Sequence, residues 1–154
     1  MGLSSTSKKA TLYSDKPGSG LGSLSKRRLE HFDIKFEFAE PIELIRFEDY
    51  WLENLDGRPI DLVKLDIEGH ELEALHGMGA ALEATRVCQF EFGGCNIDTR
   101  TFFQDYWYFF EERGFELYRI TSFGPVKIRK YSERLEFFTS TNYLAVNLAY
   151  AINS

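Results

Sequence analysis

Cysteine is scarce in this sequence: Cys88 and Cys95 are the only two. Two thiols cannot build a disulfide framework, so a reduced, cytoplasmic setting is the expectation. Long apolar runs are missing as well. Residues 1–30 contain no continuous apolar stretch, and nothing approaches the ~20 residues of a membrane span, so neither a secretory leader nor a membrane partner is expected. Basic charge is in deficit: 18 Lys and Arg against 24 Asp and Glu give a net charge of −6. That excludes nucleic acid as the main partner, because phosphate neutralisation needs a basic surface. The one basic cluster, Lys26-Arg27-Arg28, reads as a solvated helix face. Histidine is also rare, and His70 and His76 are six positions apart. At about 600° of helix rotation they do not share a face, which is not the four-residue spacing of a zinc helix. No metal is expected; the alternative is a carboxylate-based metal hydrolase in which Asp66 and Glu68 share a divalent ion with a ligand from outside.

What is present suits one α/β domain. Apolar residues make up 44% and aromatics 16%, enough for a single core in 154 residues. No solenoid-type repeat occurs. Residues 1–9 are Ser- and Lys-rich and read as a frayed terminus, with residues 10–154 as the folded unit. A short strand is predicted at 10–14, a loop at 15–25, a helical turn at 24–31, a strand at 42–46 and an amphipathic helix at 48–54. IDLVKLDI at 60–67 is close to a continuous apolar run, as in a strand covered on both faces. A helix follows at 71–76, with acids in its first turn and Gly77 as its terminator. Further elements are expected at 80–84 (helix), 87–92 (strand), from a cap at Asp98 or Thr99 to 113 (helix), and at 116–120, 126–131 and 143–150 (strands). This order describes the second half of a doubly wound sheet, with parallel strands flanked by helices and an antiparallel finish.

Two segments carry chemistry or suggest it. Gly18-Ser19-Gly20-Leu21-Gly22 lacks a buried strand before it, and a glycine pattern without its context reads as a mobile surface loop. The turn in DLVKLDIEGHELEALHG, residues 61–77, lies where open α/β sheets place ligands, beyond the carboxyl end of a strand. Asp66 and Glu68, at i and i+2 of an extended strand end, would point to one side. Such a pair can orient a hydroxyl and accept its proton; the alternative is that Asp66 caps the turn and Glu68 is solvated. Lys64 reads as structural. Glu91, near the end of the next strand, is placed to share the same crevice, and Asn96 in the adjoining loop either contacts a substrate or shapes the turn. The aromatic residues at 102–110 recur at helical spacing and read as core.

KLDIEGHELEALHGM at 64–78 resembles the signature of the FkbM family of methyltransferases. FEFGGCNID at 90–98, an aromatic helix, GFELYRI at 114–120 and TNYLAV at 141–146 are similar in order and spacing. The resemblance implies a class I, Rossmann-like methyltransferase fold that uses S-adenosylmethionine to methylate a hydroxyl of a sugar, glycan or small metabolite. It places Asp66 near the cofactor and acceptor, with Glu68 and His70 as further catalytic candidates; Glu91 and Asn96 remain the substrate-side candidates that their placement suggests. Nothing in the sequence matches the family's first two strands, with their acidic Gly-rich cofactor loop. The chain is therefore expected to be the C-terminal part of the domain, inactive alone. It is also expected to expose an unpaired edge at strand 60–67 that invites a homo-oligomer. The alternative is a non-catalytic fragment or interaction module needing a partner that carries the first half.

Overall fold

In the computed structural model, which describes residues 1–151, the chain forms two sheets. The smaller one has β1 (Gly2–Leu3), β2 (Lys8–Ser14) and β3 (Phe38–Ile45), in the order β1-β3-β2. The larger one has β4 (Ile60–Leu65), β5 (Thr85–Phe92), β6 (Phe115–Thr121), β7 (Gly124–Lys127) and β8 (Thr141–Asn147), in the order β4-β5-β8-β6-β7. β4 and β5 pair in parallel, and β8 runs antiparallel to both β5 and β6. β4, β5 and β6 therefore share one direction, with β8 inserted against it. The helices are α1 (Phe47–Asn54), α2 (Glu71–His76), α3 (Ala80–Glu83), α4 (Cys95–Thr99), α5 (Phe103–Glu111) and α6 (Leu148–Ala151). None of these is long and apolar enough to cross a membrane.

The aromatic stripe builds the core. Phe103, Tyr106, Phe109 and Phe110 of α5 are buried. Phe90 of β5 stacks on Tyr106 with ring centroids 4.8 Å apart and on Tyr143 of β8 at 5.6 Å. Burying such rings contributes about 1.5–3 kcal/mol each, so this layer fixes α5 on the sheet.

Several expectations need correction. Residues 1–9 are tied down: Gly2 and Leu3 pair with Leu44 and Ile45, and the Ser4 amide donates to the Ile45 carbonyl at 3.0 Å. Gly77 ends α2 with ordinary right-handed dihedrals, and its lack of a side chain serves a close approach. A Cβ there would lie 2.0 Å from the Ser4 carbonyl oxygen. β4 is not covered on both faces. Among the described residues it is an edge strand paired only with β5, and Leu62 is 57% exposed. The helix expected from a cap at Asp98 or Thr99 to 113 begins later, at Phe103, because those two residues lie inside α4 and Arg100 turns the chain beyond it with φ 58°. α5 is thus capped by neither Asp98 nor Thr99. The amides of Phe103 and Gln104 donate to Glu136, and that of Phe102 to Asp105. The strand predicted at 126–131 is shorter, Gly124–Lys127. The strand predicted at 143–150 stops at Asn147, whose amide donates to the Glu83 and Thr85 carbonyls and accepts from the Ala149 amide. Residues 24–31 hold only a 3-10 turn, Glu30–Phe32.

Candidate functional site

The β4–α2 turn is shaped by backbone geometry before any side chain acts. Beyond Leu65 the chain leaves the strand, Glu68 adopts φ 56° and Gly69 φ 95°. Asp66 and Glu68 are thus not on one extended segment, as the i, i+2 spacing suggested. A Cβ at Gly69 would lie 2.9 Å from the Cys95 carbonyl oxygen, so only glycine lets the turn pack on α4. Glu71 braces the turn from beneath: its Oε1 accepts the amides of Ile67 at 2.9 Å and Gly69 at 3.3 Å.

Above the turn lies a cleft of about 330 Å³, lined by Asp66, Glu68 and His70 on one wall. The smaller sheet supplies the other wall, with Leu3, Leu12, Glu40, Ile42 and Leu44. Gly20 and Gly22 also line it, so the glycine segment read as a mobile surface loop is a rim of the cleft. Gly22 packs against Leu12.

Each carboxylate has a definite partner. Asp66 is half-exposed and pairs with Lys64 at 3.0 Å. Glu68 Oε2 accepts from Arg27 Nη1 at 2.6 Å and from the Cys95 thiol at 3.0 Å. Arg27 Nε also donates to Asp98 at 3.2 Å. The Lys26-Arg27-Arg28 cluster is therefore not a solvated helix face, because its middle residue is turned inward between two acids. Ser23 Oγ donates to the Glu68 carbonyl at 3.0 Å, and Ser25 Oγ lies 3.1 Å from His70 Nε2. Arg27, Ser23 and Ser25 are site residues that the sequence reading missed. Their partners lie 41 to 71 positions away, and no local pattern announces such contacts.

Burial pushes His70 below its ordinary range; Lys8 adds to the shift and Glu73 opposes it. The ring is therefore mainly neutral at pH 7. Burial raises Glu71 above the ordinary carboxylate range, against its two backbone hydrogen bonds, with a further push from Glu91. Burial is also the main cause of the raised Cys95 thiol, assisted by Glu68, so this sulfur is not an activated nucleophile.

Glu91 joins Asp66, Glu68, Glu71 and Asn96 around a small chamber at the same turn. Asn96 is 1% exposed, with its Oδ1 accepting from the Gly93 amide and its Nδ2 donating to Tyr106 Oη. Both ends of its side chain are thus committed inside, which favours the turn-shaping alternative over substrate contact. Among the described residues no group of three His, Cys, Asp or Glu side chains is arranged to hold a metal ion.

The arrangement can bind a ligand with cationic and hydroxyl groups, orient a hydroxyl, and offer a neutral imidazole to its proton. A family model described as the methyltransferase FkbM domain matches residues 3–117. No curated protein and no solved structure matches the chain.

Proposed function

The chain belongs to the FkbM methyltransferase family, and we propose that it serves S-adenosylmethionine-dependent O-methylation of a hydroxyl on a sugar, glycan or small metabolite. The observation that carries this reading is the convergence of Asp66, Glu68 and His70 on one cleft beyond the carboxyl end of β4. The sheet order supports it. Parallel β4, β5 and β6 with an antiparallel β8 between β5 and β6 agree with the parallel strands and antiparallel finish expected of one half of a doubly wound sheet.

The residues present fit one side of the cofactor. Glu40, Asp66 and Glu68 complement a sulfonium and an ammonium, and Leu12, Ile42 and Leu44 offer an apolar wall. The other side would be a glycine turn leading from a parallel strand into a helix N-terminus. Among the described residues the glycine segment instead follows β2, which pairs antiparallel with β3 in the smaller sheet. Strands alongside the open edge of β4 would complete the site, and the chain by itself binds the cofactor weakly on this reading.

The cofactor supplies an electrophilic methyl group. Asp66 would hold the cofactor and the acceptor from the strand end, while Glu68, fixed by Arg27 and Cys95, would orient the acceptor hydroxyl. His70, neutral and held by Ser25, takes the hydroxyl proton. Glu91 stands behind them on the acceptor side. Positioning of the acceptor hydroxyl by these residues would provide much of the acceleration.

The test is transfer of labelled methyl groups by the chain joined to a segment supplying the first half of such a domain. Asp66→Asn, Glu68→Gln and His70→Gln are each expected to lower the rate by roughly 10²-fold or more. Unchanged rates in all three would remove the assignment. The open edge of β4 favours a second reading, a non-catalytic module that docks a partner. Full partner binding with no methyl transfer from the completed domain would select it.

A further inference from the structure

The small chamber at the turn has a volume of about 10 Å³, room for a single water. It shares Asp66 and Glu68 with the larger cleft, so it lies directly behind the turn that faces a ligand. Glu71 forms part of its wall and is 1% exposed. Glu71 Oε1 holds two backbone amides, whereas Oε2 is buried without a hydrogen-bond partner among the described residues. A buried, ionised carboxylate with one bare oxygen is costly, and neutralisation removes most of that cost.

The surroundings favour the neutral form. Asp66 and Glu68 face Glu71 from the turn, Glu91 from β5, Cys95 from α4 and Tyr106 from α5. The thiol and the phenol are held uncharged by burial. The cation Arg27 is already engaged by Glu68 and Asp98. Glu91 disfavours a second negative charge here.

We propose that Glu71 carries a proton in the folded protein and donates a hydrogen bond from it to one water in the chamber, which in turn hydrogen-bonds to a Glu91 oxygen. The proton stays on Glu71 Oε2; the water accepts that hydrogen bond and donates one of its own to Glu91, and no covalent bond breaks. The chamber is then a proton-holding site that locks the turn presenting Glu68 and His70. Glu71 is a positioning residue, since it acts through the turn and touches no ligand. The inference stands apart from methyl transfer.

The experiment is infrared difference spectroscopy on the whole chain at about pH 6, where an exposed glutamate is ionised. A protonated-carboxyl band is expected in the wild type and is absent from Glu71→Gln. The glutamine keeps both backbone hydrogen bonds and mimics the neutral acid, so this variant stays folded. Its urea midpoint is expected to equal that of the wild type near pH 4, below the unfolded glutamate value of about 4.3, and to exceed it at pH 6 and above, because the unfolded glutamate ionises first and the wild type loses stability as pH rises towards the raised folded value. In Glu91→Gln the band is expected to titrate away at lower pH, because a like charge is gone. No such band at pH 6, the same band in Glu71→Gln, or an unmoved titration in Glu91→Gln would each overturn the proposal. None of these readouts needs a cofactor, so failure here is distinguishable from failure of the methyltransferase reading.

Discussion

Arg27 Nη1 lies 2.6 Å from Glu68 Oε2, and this pair joins the segment before β3 to the turn after β4. The Arg27 side chain is 10% exposed and that of Glu68 20%, so the contact is largely withdrawn from water. Removing one partner leaves the other charge buried. Arg27→Met is therefore expected to destabilise the fold by about 2 kcal/mol, read as a lower urea midpoint. Arg27→Met combined with Glu68→Gln should recover part of the loss. Equal midpoints for wild type and Arg27→Met would show that the pair is dispensable.

Gly77 gives a sharper stability test. Alanine there would place a methyl group 2.0 Å from the Ser4 carbonyl oxygen, which is backbone and cannot rotate away. Overpacking of this kind costs about 1–3 kcal/mol. Gly20→Ala is the control, since nothing lies within 4 Å of the added carbon. Thermal unfolding should separate the two variants clearly. Equal melting temperatures would mean that residues 1–5 do not hold the position described.

His70 sets a pH dependence with a defined sign. Burial lowers its folded value below the unfolded one of about 6.5. The unfolded chain therefore gains the proton first as pH falls. The stability contribution is present above the unfolded value and is lost as pH drops through the folded one. Urea midpoints measured from pH 7.5 to 5 should fall less steeply for His70→Gln than for the wild type. Parallel curves would remove the buried-imidazole account, and with it the neutral base in the cleft.

The open edge of β4 predicts association. Leu62 is 57% exposed on a strand paired on one side only, and such edges recruit other strands. Light scattering should show a mass that rises with concentration, and Leu62→Lys should suppress the rise. A constant monomer mass for the wild type up to millimolar concentration would contradict this.

Much of this architecture was legible locally. The strand at VCQFEF, the helical spacing of Phe103, Tyr106 and Phe110, and the acid-rich start of α2 fall where they were read. The cleft at Asp66, Glu68 and His70 was legible too, because a strand-to-helix turn in an open sheet fixes where side chains emerge. The errors have a common cause, which is that tertiary contact outweighs local preference. Arg27 looked like part of a surface cluster because Glu68 and Asp98 are remote in sequence. β4 looked doubly covered because its apolar run does not reveal that Leu62 is left more than half exposed. Asn147 and Arg100 did carry local signals, a polar amide in a strand and a residue between two threonines, yet only the packed chain shows that they end their elements.

The central claim, that this cleft serves transfer of a methyl group to a hydroxyl, is tested most directly by product analysis. The chain joined to the first half of a class I methyltransferase domain should convert S-adenosylmethionine and a hydroxylated acceptor into a methyl ether, identified by mass spectrometry, with Glu68→Gln and His70→Gln strongly impaired. A completed domain that binds S-adenosylmethionine yet yields no methyl ether from a broad set of sugars, glycans and small alcohols, or that methylates nitrogen or carbon instead, would contradict it.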